Sequence, residues 1–165
     1  MGHRFTIEAL KELIVARRDG ARGQRICVDY ARDLRLRSLL VAHLEQNAHA
    51  VEELQSLVRL LGGDPDAAMP DSSTARGRWA DLRTALACNE DGVILDECER
   101  GESRSLEVYR NALDDPLPTL VRAVVLRQFE DVMNNHDEIR DLRSHWSPRI
   151  DSGASSGAQA GSHQS

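Results

Sequence analysis

The sequence predicts an all-α protein: an antiparallel four-helix bundle made of two helical hairpins, joined by a long crossover that carries a short extra helix. Three observations predict it. Aromatic residues are only 4% of the 165 residues, while Leu, Ala, Arg, Glu and Asp dominate, a composition that favours long helices over a sheet. Apolar residues recur every three or four positions through four long segments, the spacing of a helix with one buried face. Proline is confined to a few breaks, of which Gly62-Gly63-Asp64-Pro65 is the firmest. With 41% apolar residues the chain can bury a substantial core as a single domain, residues 1–148.

The first helix is expected to start with Thr6 as N-cap and Phe5 stapled against Leu10, and to run to about Arg32. Its inward stripe is Ile7, Leu10, Ile14, Arg17, Ala21, Gln24, Val28 and Ala31, so two polar residues interrupt it. Gly20 and Gly23 would weaken a helix unless they admit a close neighbour. A short connection near Asp33 leads to the second helix, with the stripe Leu36, Leu40, His43, Asn47, Val51, Leu54, Val58 and Leu61. A glycine at the C′ position and a proline just beyond then stop it.

Residues 64–74 read as a polar loop. A short helix over 75–87, capped by Ser73 or Thr74, would lay Trp79, Leu82 and Leu86 on the outside of the bundle, with Trp79 as a packing anchor. Asn89 is the expected cap of the third bundle helix, with Glu90 and Asp91 favourable in its first turn. On that helix Leu95, Cys98, Leu106, Tyr109 and Leu113 share a face, and Glu102 lies at its centre. Asp115-Pro116 reads as the N-cap and first residue of the fourth helix. Its core side is Val121, Val124, Val125, Gln128, Val132, Ile139 and Leu142, with Asn135 and His136 at the margins. Residues 149–165, rich in Ser and Gly, read as a disordered tail.

The net charge of −6, from 21 basic and 27 acidic residues of alternating sign, leaves no basic run to follow a phosphate backbone, so nucleic acid is not expected as a partner. Cys27, Cys88 and Cys98 show neither a metal spacing nor a disulfide framework, which points to reduced thiols. No stretch is apolar enough for a signal peptide or a membrane span, and a cytoplasmic protein with no membrane partner is expected.

The polar residues of the stripes fall at one level: Arg17 and Gln24, then His43 and Asn47, then Glu102, then Gln128. Bundles that bind two metal ions place carboxylates and histidines at this level. Here the pattern is incomplete. His49 faces away from its stripe, and Met133 stands where a carboxylate would precede His136. The alternative metal set is Glu99, Glu102, His136 and His43, with iron or manganese as the ion. The structural reading pairs Arg17 with Glu102 as a buried ion pair, completed by Gln24, Asn47 and Gln128, which would set register among four similar helices. Tyr109 is expected to pack its ring and lead its hydroxyl to the surface.

A further set of residues carries a resemblance. These are Asp19-Gly20 with Gly23, Leu61-Gly62-Gly63-Asp64-Pro65, Arg78-Trp79 with Leu82-Arg83 and Ala85-Leu86, Ile94 through Glu102, and His136-Asp137 with Ile139-Arg140 and Leu142-Arg143. From about Ile7 to Arg143 the chain resembles the bacterial ferritin-like family called domain of unknown function 2383. The resemblance implies a ferritin-like four-helix bundle, distantly similar to ferritins and rubrerythrins. The family has no assigned activity, so no catalytic residue carries over.

The leading functional expectation is a non-enzymatic bundle, without a cofactor, acting through a protein partner or self-association as a homodimer, in a stress response. The alternative is an iron- or manganese-binding protein or oxidoreductase. A third reading, a small-molecule or lipid site between helices, requires a cavity that sequence does not reveal.

Overall fold

Helix α1 spans Arg4–Tyr30, α2 Leu34–Leu60, α3 Ser73–Ala87, α4 Asp91–Asp114 and α5 Thr119–Ser144. The computed structural model describes residues 3–67, 73–87 and 91–146, the side chains of 73–78 excepted, and among these there is no strand. The expected cap Asn89, the side chains of Ser73 and Thr74, Cys88 and the tail 149–165 lie outside the described residues.

The apolar stripes assemble α1 with α2 and α4 with α5 into antiparallel hairpins, and α1 packs along α4 to join them. α2 and α5 meet chiefly through long side chains, such as Gln128 Nε2 donating to the Ala50 carbonyl at 3.3 Å. Burial divides the core into two apolar clusters. One, built on Leu10, Leu13, Leu54, Tyr109 and Val125, fills the end where α1 and α5 begin. The other, built on Ile26, Leu36, Leu40, Ile94, Leu95 and Ile139, fills the opposite end. The polar level of the four stripes lies between them.

α3 closes the second cluster. Trp79, Leu82 and Leu86 are buried against it. Gly23 is what lets the indole in, because a Cβ there would stand 3.0 Å from the Trp79 ring carbons Cη2 and Cζ3. Gly20 has no such need, since its nearest neighbour would be Asn47 Nδ2 at 3.8 Å.

The helix ends differ from expectation in two places. α1 begins at Arg4 with His3 as N-cap, so Thr6 is buried inside the first turn and Phe5, 85% exposed, makes no staple. α5 begins at Thr119 with Pro118 at its N-cap, so Asp115-Pro116 does not start it. A residue before proline is disfavoured in the helical region, so Leu117 interrupts any helix begun at Pro116. Arg122 Nη2 then ties this connection by donating to the Leu113 and Asp115 carbonyls, both at 2.9 Å. The end of α2 is as expected: Gly62 has φ +85°, its N–H donates to Arg59 O at 3.0 Å and Gly63 N–H to Val58 O at 2.9 Å, which closes the last turn.

The tight turn between α1 and α2 depends on a residue from a distant helix. Asp33 caps α2 by accepting from Arg35 and Leu36 N–H. Asp91, at the start of α4 and 6% exposed, accepts from the N–H groups of Arg32 at 3.0 Å and Asp33 at 2.8 Å. One carboxylate thus satisfies two turn donors and pins the first hairpin to the second. Asp91→Ala is expected to destabilise the fold by about 2 kcal/mol, the range for buried donors left unpaired, with Asp91→Asn recovering part of the loss in urea unfolding.

Candidate functional site

The site is the polar level between the two apolar clusters. Arg17, Gln24, His43, Asn47, Glu102 and Gln128 are all buried there, none more than 9% exposed. Arg17 stands at its centre. Its Nε donates to the Tyr109 hydroxyl at 2.8 Å, Nη1 to Asn47 Oδ1 at 2.8 Å, and Nη2 reaches the Gln128 carbonyl at 3.5 Å. The guanidinium also lies 5.2 Å from the centroid of the Tyr109 ring.

Two chains of hydrogen bonds leave Arg17. In one, Asn47 Nδ2 donates to Gln24 Oε1 at 2.6 Å and Gln24 Nε2 donates to Glu102 Oε1 at 3.2 Å. In the other, the Tyr109 hydroxyl donates to Gln128 Oε1 at 2.6 Å, and Gln128 Nε2 donates to Glu53 Oε1 at 2.7 Å. Glu53 is also paired with Arg127.

This corrects the expected Arg17–Glu102 ion pair. Two amides stand between the charges, and the three guanidinium nitrogens turn to Tyr109, Asn47 and a carbonyl. Tyr109 is likewise corrected: it is fully buried, and its hydroxyl joins Arg17 to Gln128 rather than reaching the surface. Burial pushes the Glu102 carboxyl up to about 7, with the Arg17 charge and the Gln24 N–H acting in the opposite sense. Burial also holds His43 below its ordinary pKa, against the pull of Glu138.

The four residues of the metal alternative do not converge. His43 Nδ1 lies 3.8 Å from Glu102 Oε1, while its Nε2 lies 3.4 Å from Glu138 Oε2. The two ring nitrogens point to different acids, so one ion cannot join all three groups. Glu99 is drawn outward by Arg143, which also holds Asp96 at 2.8 Å. His136 Nε2 is 3.2 Å from Ser103 Oγ, with Asp137 3.9 Å from its other nitrogen. Among the described residues no group of three or more His, Cys, Asp and Glu side chains is placed to hold a metal ion.

Beside the layer lies a cavity of about 590 Å³ between α1 and α4, lined on its inner side by Gln24, Asn47 and Glu102. Trp79, Cys27 and Cys98 also line it. The Cys98 thiol is pushed well up by its hydrogen bond with Cys27 and by burial.

Comparison with known proteins assigns the chain. The family model of the domain of unknown function DUF2383 matches residues 5–115. The chain belongs to this family. The matched range ends before α5, so the motif around His136 lies beyond it. Among solved structures, the bundle is similar to a two-domain protein of Anabaena variabilis ATCC 29413 that contains DJ-1/ThiJ/PfpI-like and ferritin-like domains, with a TM-score of 0.69 and 14% identity. That similarity covers 84% of this chain and 38% of the Anabaena chain, and it shows a ferritin-like fold. No curated protein matches the sequence. No helix among the described residues is long and apolar enough to cross a membrane.

Sequence reasoning found the level of the layer in this DUF2383 bundle but missed Tyr109, Glu53 and Glu138 as participants. Glu53 and Glu138 carry no apolar-stripe signal because they enter from the α2–α5 seam. Tyr109 is visible on the α4 stripe, and its place between Leu106 and Leu113 on that face is the signal that its hydroxyl needs an internal partner.

Arg17→Met is expected to cost about 3 kcal/mol in urea unfolding, because Asn47 Oδ1 and the Tyr109 hydroxyl each lose a buried donor. The same substitution raises the Glu102 pKa further, which a carboxyl-carbon NMR titration reads directly. For Glu102 itself the folded pKa of about 7 exceeds its ordinary value of 4.5, so its contribution is fully present below pH 4.5 and is lost as pH rises to 7. Wild type should therefore lose about 3 kcal/mol more than Glu102→Gln between pH 4.5 and pH 8, by denaturant unfolding at both pH values.

Proposed function

We propose that this chain is a non-enzymatic ferritin-like bundle that works through contact with a second copy of itself or with another protein, in a stress response. The observation that carries this reading is Arg17. At the level where two-metal bundles converge their carboxylates and histidines, a buried guanidinium bonds to Tyr109, Asn47 and the Gln128 carbonyl. The guanidinium stands where a metal ion would, and the amides bonded to it have no charge to offer one.

Contact with a second copy draws support from one end of the bundle. Phe5 at the start of α1, Leu60 at the end of α2 and Leu120 at the start of α5 are 85%, 68% and 59% exposed. Antiparallel packing brings these three helix ends to the same side of the molecule. The Anabaena protein, in which a ferritin-like domain shares a chain with a DJ-1/ThiJ/PfpI-like domain, offers a precedent for such a bundle beside another protein domain.

The alternative, an iron- or manganese-binding bundle, rests on His43 and Glu102 alone, 3.8 Å apart. Two measurements separate the readings. Sedimentation of the wild type should give a dimer that Phe5→Glu with Leu60→Glu converts to monomer, whereas a wild type that stays monomeric at high concentration removes the self-association. Untagged protein that takes up stoichiometric iron or manganese, and loses it in Glu102→Ala, would establish the alternative instead.

A further inference from the structure

We infer that the cavity between α1 and α4 is a binding site for a small organic cation, an ammonium group on an apolar body, whose charge is taken up by Glu102. The inference concerns a ligand of the single chain and stands apart from the contacts proposed above.

The space has the size of a ligand site. Its volume of about 590 Å³ falls within the range of small-molecule pockets, and Val15, Ala16, Val108 and the Trp79 ring supply an apolar wall. At its inner side is a carboxyl group to which no Lys or Arg is bonded among the described residues, and the imidazole nearest it, His43 Nδ1 at 3.8 Å, is held below its ordinary pKa by burial. Glu102 is 7% exposed, its Oε1 accepts from Gln24 Nε2 at 3.2 Å, and no hydrogen bond among the described residues engages its Oε2. Arg17, the buried cation of the layer, spends its donors on Tyr109, Asn47 and the Gln128 carbonyl. A buried carboxylate in that position is costly to ionise, and its raised pKa expresses the cost. A ligand ammonium supplies the missing counter-ion through a charge-assisted hydrogen bond.

Charge selects the same class of ligand. The described lining residues include five acids, Glu102 among them, against Lys11 and Arg104. An anionic ligand would meet that field and the Glu102 carboxylate, whereas a cation gains from both.

Of the three glycines that line the space, Gly23 is packed tightly against Trp79, while the other two open onto it. A Cβ at Gly101, next to Glu102, would meet only Arg104 Nη2 at 3.9 Å, and one at Gly20 only Asn47 Nδ2 at 3.8 Å. A larger side chain at Gly101 therefore enters open space on a helix that gains from losing a glycine. Gly101→Leu is thus a variant that fills the cavity while keeping the fold.

The test is calorimetric titration of the full chain at pH 8 with three matched probes: 2-phenylethylamine, 2-phenylethanol and 3-phenylpropionate. The amine is expected to bind at least tenfold more tightly than the alcohol, and the acid not measurably. Gly101→Leu should abolish amine binding with an unchanged or higher melting temperature, and Glu102→Gln should reduce the amine to the affinity of the alcohol. Equal affinities for amine and alcohol, amine binding that survives Gly101→Leu, or no binding of the amine at millimolar concentration would each overturn the inference.

Discussion

Arginine has donors and no acceptor, and that single asymmetry orders the centre of this bundle. Because Arg17 Nη1 donates to Asn47, the Asn47 carbonyl oxygen must face it and the amide nitrogen must face Gln24. Gln24 is then obliged to turn its own nitrogen to Glu102. The same logic runs the other way: Tyr109 accepts from Arg17, so its O–H donates to Gln128, and the Gln128 amide donates to Glu53. Every link points away from the guanidinium. Both chains can end only on an acceptor, and each ends on a carboxylate.

This explains why Glu102 and Arg17 share a layer without touching. A direct pair would leave Asn47 and Gln24 with buried groups to satisfy elsewhere, whereas the relay satisfies both amides and still lets the Arg17 charge act on Glu102. The layer separates two apolar clusters, and its bonds cross between α1, α2, α4 and α5. A helix slid by one turn would break several of them at once while losing little apolar burial. The layer therefore specifies register more than it adds stability, a role for which buried polar groups suit a bundle of similar helices.

The ferritin-like architecture and the DUF2383 assignment give the fold, while the side chains at its middle decide its chemistry. His43 has its two ring nitrogens turned toward Glu102 and Glu138 on opposite sides. Glu99 and His136 belong to the outer α4–α5 seam, where Arg143 and Ser103 engage them. The open volume beside Glu102 arises because α1 and α4 present small residues, Ala16, Gly20 and Gly101, along their shared groove.

Periodicity and punctuation alone determined the helices, the stop at Gly62 and the level at which polar residues interrupt the four stripes. These are local properties, fixed by the angle between successive side chains and by the backbone conformations that glycine and proline allow. The same reasoning placed the start of α5 too early, because the restriction that Pro118 imposes on Leu117 outweighed the capping signal of Asp115. Only the tertiary structure decided which polar groups meet. Tyr109 lies 92 positions from Arg17, and Asp91 58 positions from the Asp33 N–H that it accepts. A stripe on one helix gives the direction of a side chain about its own axis. The rotation and separation of two packed helices decide what that side chain touches. For Arg17 that difference replaced an expected carboxylate with a tyrosine, an amide and a carbonyl, and left Glu102 facing a cavity.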